Sequence, residues 1–240
     1  MLDLCLFGDS ISKGVVTDNT PEHYTTTERS FVKLLSEEHT DWDVTSYALF
    51  GSTIAKGQSL VRRHAKAVEA ADVVVLEYGG NDSDFAWDEI AAQPEATHAP
   101  KTDVSTFTET YEQIVSELRA RGKKVVLLNL PPLDSKKYFN WVSRGLDAEK
   151  ILAWLGGSDS YIYRYHESYS VSVADIAVRQ SVPLIDIRSP FLQRRDYSEL
   201  LCEDGIHPND RGHKLIASVI RAELPALRGA LGLDSVAISG

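Results

Sequence analysis

The sequence predicts an α/β protein, a three-layer α/β/α sandwich on a parallel sheet. Two observations carry this. Short β-branched runs alternate with longer stretches of helical periodicity, and the runs Val73-Val74-Val75-Leu76 and Val125-Val126-Leu127-Leu128 are apolar at every position. A strand buried on one face alternates apolar and polar residues, whereas a run apolar on both faces suits a parallel sheet covered by helices on each side. The strands read as Leu2 to Phe7, Val44 to Leu49, Asp72 to Tyr78, Lys124 to Leu130 and Val182 to Ile187. Between them, Arg29 to His39, Ser59 to Ala70, Phe107 to Arg121 and Tyr161 to Gln180 place apolar residues three and four apart, with charge on the other face. Gly122 stands where a left-handed helix cap is needed, and Asn209 or a near neighbour starts a final helix running to about Glu223. Neither repeats nor linkers interrupt residues 1–240, so a single domain is expected.

One stretch breaks the alternation. Asp134 to Gly157, entered through Pro131-Pro132, carries Tyr138, Phe139, Trp141 and Trp154 with no clean period, and Tyr161, Tyr163, Tyr165 and Tyr169 follow on the next helix. Loops at the carboxyl ends of parallel strands are where such sheets bind ligands. The aromatics therefore either cover a substrate or form the small core of an insertion.

Composition narrows the partners. Lys and Arg total 25 against 35 Asp and Glu, a formal charge of −10, and no basic run exists to hold a phosphate backbone or an anionic membrane surface. Cys5 and Cys202 make no disulfide framework and no CxxC spacing, which fits a reducing compartment. The start of the chain lacks a basic leader with a long apolar stretch, and no later run reaches the length of a membrane span. A cytoplasmic protein without nucleic-acid partners is expected.

Three predicted strands end in unusual loops: Gly8-Asp9-Ser10-Ile11-Ser12, Phe50-Gly51-Ser52 and Gly79-Gly80-Asn81-Asp82. Asp204-Gly205-Ile206-His207-Pro208 precedes the last helix. In a parallel sheet these loops share one edge, and together they hold the parts of an acyl-transfer site. A serine hydroxyl is a weak nucleophile, and His207 offers an imidazole to take its proton. Asp204, three residues earlier with a glycine between, can fold back on the other ring nitrogen, fixing the tautomer and stabilising the imidazolium. The oxyanion of a tetrahedral intermediate needs preorganised donors, for which the amides of Ser10 and Gly51 and the side chain of Asn81 are suited. Each part has a plainer reading: Ser10, Asp204 and His207 could cap helices, and Asn81 could serve turn geometry. Their conjunction favours chemistry, with Asp9 and Asp82 left to organise the loops. The other histidines, His23, His39, His64, His98, His166 and His213, are scattered without metal-ligand spacing, so no metal site is expected. His213 reads as a surface or packing residue.

In this order the four blocks resemble the signature of the SGNH, or GDSL, hydrolases, and they span residues 8 to 208. The resemblance implies a flavodoxin-like α/β/α fold, ester hydrolysis through an acyl-serine intermediate, and no cofactor. It assigns Ser10 as nucleophile, His207 as base, Asp204 as its orienter, and Gly51 and Asn81 as oxyanion donors. Ser12 stands where the second glycine of a Gly-x-Ser-x-Gly elbow would be, which disfavours the α/β-hydrolase alternative.

The substrate is read from bulk and charge. Phe50, Phe85 and Trp87, in loops beside Ser10, are expected to wall a short acyl pocket. Trp141, in a stretch that also holds Lys136, Lys137, Asn140, Arg144, Asp147, Glu149 and Lys150, is expected to stack on a sugar. A small-molecule or oligosaccharide ester carrying an acetyl-sized group is the first expectation. The alternatives are a lysophospholipase or thioesterase acting on longer chains, and a glycan-binding protein that retains the motifs without turnover. The latter would be marked by a lost triad residue, and none is lost.

Overall fold

Cys5 and Phe7 point into one apolar layer and Leu6 into another; Val74 and Leu76 part from Val73, and Val125 and Leu127 from Val126, in the same way. This period of two, with both faces apolar, is why the strand sequences show no polar alternation. Each such side chain removed from water stabilises the fold by roughly 1.5–3 kcal/mol.

The computed structural model describes residues 2–17, 23–38 and 42–233. Along the chain run β1 (Leu2–Gly8), α1 (Ser10–Lys13), β2 (Val15–Thr17), β3 (Tyr24–Thr26), α2 (Phe31–Glu38), β4 (Trp42–Ser46), α3 (Ile54–Arg63), α4 (Ala65–Ala70), β5 (Val73–Glu77), α5 (Trp87–Ala92), α6 (Val104–Ala120), β6 (Lys124–Leu128), α7 (Ser135–Val142), α8 (Ala148–Trp154), α9 (Ser160–Gln180), β7 (Leu184–Ile185), α10 (Ser189–Leu192) and α11 (Asp210–Ala230). His39, the expected end of α2, lies outside the described residues.

Five strands pair in parallel in the order β4-β1-β5-β6-β7. Helices α3, α4, α6 and α9 cover one face, and α2 and α11 the other. The chain steps from β1 outward to β4 and then back across to β5. The strand order thus reverses beside β1, and the crevice at such a switch point is where open parallel sheets bind ligands.

Several elements differ from the sequence expectation. Ladder geometry ends at Ser46, although Tyr47 and Leu49 still donate to Leu6 and Gly8. Beyond β6, the Asn129 side chain accepts from the amides of Ile187 and Arg188 at 2.8 and 3.2 Å, replacing strand pairing and shortening β7 to two residues. The expected helix from Ser59 starts earlier, at Ile54, whose amide donates to the distant Asp82 carboxylate at 3.0 and 3.1 Å. The stretch from Asp134 to Gly157 is helical: Asp134 and Asp147 cap α7 and α8 by accepting from Lys137 and Lys150, and Gly145 separates the two helices at φ 73°. With α5 and the start of α9 these helices enclose a satellite core of Phe85, Trp87, Ile90, Leu133, Tyr138, Ile151, Leu155 and Ile162. A small antiparallel hairpin of β2 and β3, absent from the sequence reading, lies beside α1.

Candidate active site

The loop that carries Ser10 is shaped by close packing. Gly8 ends β1, and a Cβ there would fall 2.6 Å from Ser12 Oγ, so only glycine lets the chain turn. The Asp9 carboxylate accepts from the Ile11 amide at 2.9 Å, starting the single turn of α1, which Gly14 closes at φ 77°. Ser10 is thereby held at the start of a short helix, almost wholly buried.

Across from it, the loop before α11 is pinned at both ends. The Cys202 amide donates to the carbonyl of His207 at 2.8 Å, and the Asp134 amide donates to that of Gly205 at 2.8 Å. Gly205 adopts φ 72° against α7, where a Cβ would meet the Asp134 carbonyl at 2.7 Å. Asp204, fully buried, accepts through Oδ1 from the amides of Ile206 and His207, each at 3.1 Å, and through Oδ2 from His207 Nδ1 at 2.6 Å. The carboxylate can only accept, so the proton sits on Nδ1 and Nε2 is left to accept from Ser10 Oγ at 2.8 Å. Ser10, His207 and Asp204, chosen from sequence, form one continuous relay.

The amides of Ser10 and Gly51 donate to no described residue. Gly51 takes φ 69° with open space where a Cβ would lie. Asn81 Nδ2 donates one hydrogen to Asp9 Oδ2 at 3.2 Å, leaving its second free. All three donors border one cleft of about 190 Å³ together with Ser10 and His207. Beneath them lies a pair of carboxyl groups. Asp9 and Glu77 are both inaccessible, Ser12 donates to Glu77 Oε2 through its hydroxyl at 2.7 Å and its amide at 3.3 Å, and Glu77 Oε1 has no donor. Burial and the Asp9 charge push Glu77 well above the usual carboxyl range, and burial raises Asp9 to about 6. The two carboxyl groups therefore disfavour ionising together, and Glu77 is the one pushed further toward its protonated form.

The expected aromatic residues separate into two groups. Phe50, half exposed, lies 6.3 Å from the His207 ring and 5.1 Å from Tyr24; Trp141 lies 6.0 Å from Tyr24 beneath the Arg144 guanidinium. Phe50 and Tyr24 line the cleft, while Trp141 does not line it and adjoins it only through Tyr24. Phe85 and Trp87 do not line it, which corrects the expectation that they wall an acyl pocket. The chain turns away after Asp84, so Phe85 packs on Trp154 at 5.0 Å and Trp87 donates to Asp84 Oδ1 at 2.8 Å from within the satellite core. Tyr24, Asp84, Glu77 and His166 also border the cleft, and the sequence reading assigns none of them to the site. Tyr24, 5.4 Å from His207, sits on strands too short to show a period. Asp84, bonded to Tyr138 at 2.5 Å and Lys101 at 2.8 Å, follows the Gly-Gly-Asn-Asp block closely enough to have been suspected. His166 was set aside as scattered because nothing local distinguishes it.

A model of the GDSL-like lipase/acylhydrolase family matches residues 6–215. The fold is similar to that of a lipase/acylhydrolase from Enterococcus faecalis, at 20% identity and TM-score 0.65, over 94% of this chain and 96% of that one. An acetyl xylan esterase aligns at 20% identity and TM-score 0.62, over 93% of this chain and 100% of its own. An acetyl-xylooligosaccharide esterase from Geobacillus aligns at 16% identity and TM-score 0.65, over 93% and 94%. No curated protein sequence matches significantly.

Proposed function

The chain belongs to the GDSL-like lipase/acylhydrolase family, and from that premise we propose that it is a serine carboxylic ester hydrolase that removes short acyl groups, acetyl foremost, from a carbohydrate-like alcohol. The observation that carries the reading is the relay from Asp204 Oδ2 through His207 to Ser10 Oγ, with bonds of 2.6 and 2.8 Å. Ser10 Oγ attacks the ester carbonyl as its proton passes to His207 Nε2, and Asp204 stabilises the imidazolium. The carbonyl oxygen becomes an oxyanion, met by the amides of Ser10 and Gly51 and the free N–H of Asn81. His207 then returns the proton to the departing alcohol, leaving an acyl-serine. Water, deprotonated by the same imidazole, attacks this ester and releases the acid.

The substrate class is supported by the aromatic rim of Tyr24 and Phe50, continued outward from Tyr24 by Trp141 and Arg144, whose faces and charge suit a sugar ring better than an acyl tail. A longer acyl chain would need an apolar groove leading from Ser10. The cavity adjoining the cleft, among Phe85, Trp87 and Leu155, measures only about 10 Å³. Two of the structural neighbours act on acetylated xylan or xylooligosaccharide by name.

The test is covalent. A serine-directed phosphonate should add to Ser10 of the wild type, located by mass spectrometry, and Ser10→Ala should lose nearly all hydrolysis of p-nitrophenyl acetate. Activity should survive EDTA. Labelling of Ser12 or Ser52, or faster hydrolysis of decanoyl than of acetyl esters, would refute the respective parts.

A further inference from the structure

His166 sits on the inner side of α9, 4% exposed, and its ring borders both the cleft and the small aromatic cavity behind Tyr138. Its Nδ1 is shut away from solvent without a hydrogen-bond partner, and Nε2 makes no hydrogen bond to a described residue. Burial, aided by the nearby Arg188 charge, pushes the imidazole down to about 3, so the ring is neutral wherever the protein is folded near neutrality. Arg188 itself is buried and committed: it pairs with Glu167, the next residue of α9, and donates to the carbonyls of Leu130 and Pro131, each at 3.3 Å. Those bonds tie α9 to the loop after β6 and hold the His166 ring against the cleft wall.

An unpartnered polar ring is costly in an interior, and an apolar ring of the same shape would fill the space without that cost. The enclosed Nδ1 is out of a ligand's reach, but Nε2 also lacks a partner, and a ligand in the cleft that bonds to Nε2 gives the ring a polar contact there. A neutral imidazole has one donor and one acceptor nitrogen, and a hydroxyl can match either. Asp9 and Asp84 border the same cleft and disfavour an anion there, Lys101 being paired with Asp84, whose oxygens are already engaged by Tyr138, Trp87 and that lysine. We propose that His166 is the specificity-determining residue of the cleft, hydrogen-bonding an uncharged hydroxyl carried by the ester substrate, on its acyl chain or on its alcohol. This rests on the ester hydrolase reading.

The experiment compares wild type with His166→Phe, which keeps a planar ring without nitrogens, and with His166→Gln, which restores a donor and an acceptor. Two substrate pairs distinguish the sources of the hydroxyl. One sets p-nitrophenyl 3-hydroxybutyrate against p-nitrophenyl butyrate, and the other sets a monoacetylated methyl xyloside against cyclohexyl acetate. In one pair the wild type should favour the hydroxylated ester in kcat/KM. His166→Phe should reduce that preference about tenfold to a hundredfold, and His166→Gln should recover part of it. The pair that responds names the source. A wild type with no preference in either pair, or a preference that survives both substitutions, overturns the proposal. Stoichiometric phosphonate uptake at Ser10 shows that each variant is folded at the site, and His166→Ala replaces any variant that fails this check. A wild type that takes up no phosphonate would overturn the hydrolase reading itself, a separate result.

Discussion

Asn81 has two amide hydrogens and a different task for each. One is held by Asp9 at 3.2 Å, and this orients the other toward the cleft. Asn81→Ala should lower kcat about a hundredfold to a thousandfold with little change in KM, the usual loss for one oxyanion donor. A residue serving only the turn would show lowered thermal stability with kcat kept, so measuring both separates the roles. The argument extends one residue deeper. Burial and the Asp9 charge push Glu77 toward its protonated form, because two carboxylates disfavour ionising together in a buried site, and a proton on Glu77 leaves Asp9 free to accept from Asn81. Glu77→Gln imitates the protonated acid and should keep kcat within about threefold, whereas Glu77→Ala should lower it by about tenfold or more. The sign with pH follows from a raised carboxyl: stripping the shared proton as pH rises should depress wild-type activity, and Glu77→Gln should lack that decline. Since His207, Tyr78, Asp82 and Tyr111 also lie in this field, the comparison is between pH profiles of the two proteins rather than with a single midpoint.

Two short elements give the cleft its rim. The β2–β3 hairpin delivers Tyr24, and α7, capped by Asp134 and pinned by the Gly205 contact, delivers Trp141 to within 6.0 Å of it. The rest of the aromatic stretch does what an insertion core does: Tyr138 and Leu155 are buried with Phe85 and Trp87. The sequence left both uses open for these aromatics. Packing divides them, with Trp141 against Tyr24 and Trp154 against Phe85. Trp141→Ala should therefore raise KM for an acetylated xylooligosaccharide about tenfold, the loss of one aromatic contact of roughly 1.5 kcal/mol. The ratio of its kcat/KM to that for p-nitrophenyl acetate should fall in step. An unchanged ratio would place the sugar elsewhere.

Among the described residues no helix is long and apolar enough to cross a membrane. The sandwich instead buries polar groups whose ionisation couples to folding as a whole. His213, expected near the surface or in packing, is fully buried on α11, its ring stacked on Phe31 with no partner for either nitrogen, and burial pushes it down to about 4. A histidine depressed in the folded state protonates first in the unfolded chain, so stability is lost as pH falls from about 6.5 toward 4. The shift corresponds to roughly 3–4 kcal/mol at most. Asp9 and Asp82, each raised to about 6, act in the opposite sense over an overlapping range, gaining stability as pH falls toward 4. The total is thus a poor test and the variant a good one: His213→Phe should flatten the fall in melting temperature between pH 6.5 and 4 relative to wild type. Equal slopes would show that the ring is not held neutral by the fold.

The strand order could not be read from the sequence, but the five strands could, because an apolar run hidden on both faces leaves a local trace in consecutive residues. Four residues of the candidate site were legible for a related reason: Ser10, Asn81, Asp204 and His207 lie in short blocks whose glycines mark places where backbone must turn or approach closely, as Gly8 and Gly205 do. Tyr24, Asp84, Glu77 and His166 carry no such mark. Each joins the candidate site only through contacts made across many intervening residues, where a three-residue strand sets a tyrosine ring against an imidazole or a buried arginine ties one helix to a distant loop. Phe85 and Trp87 show the converse, lying close to Asn81 in sequence yet turned into another core by the chain reversal after Asp84. Local chemistry is written in adjacent residues, whereas burial and the direction in which a side chain points depend on which distant elements pack together.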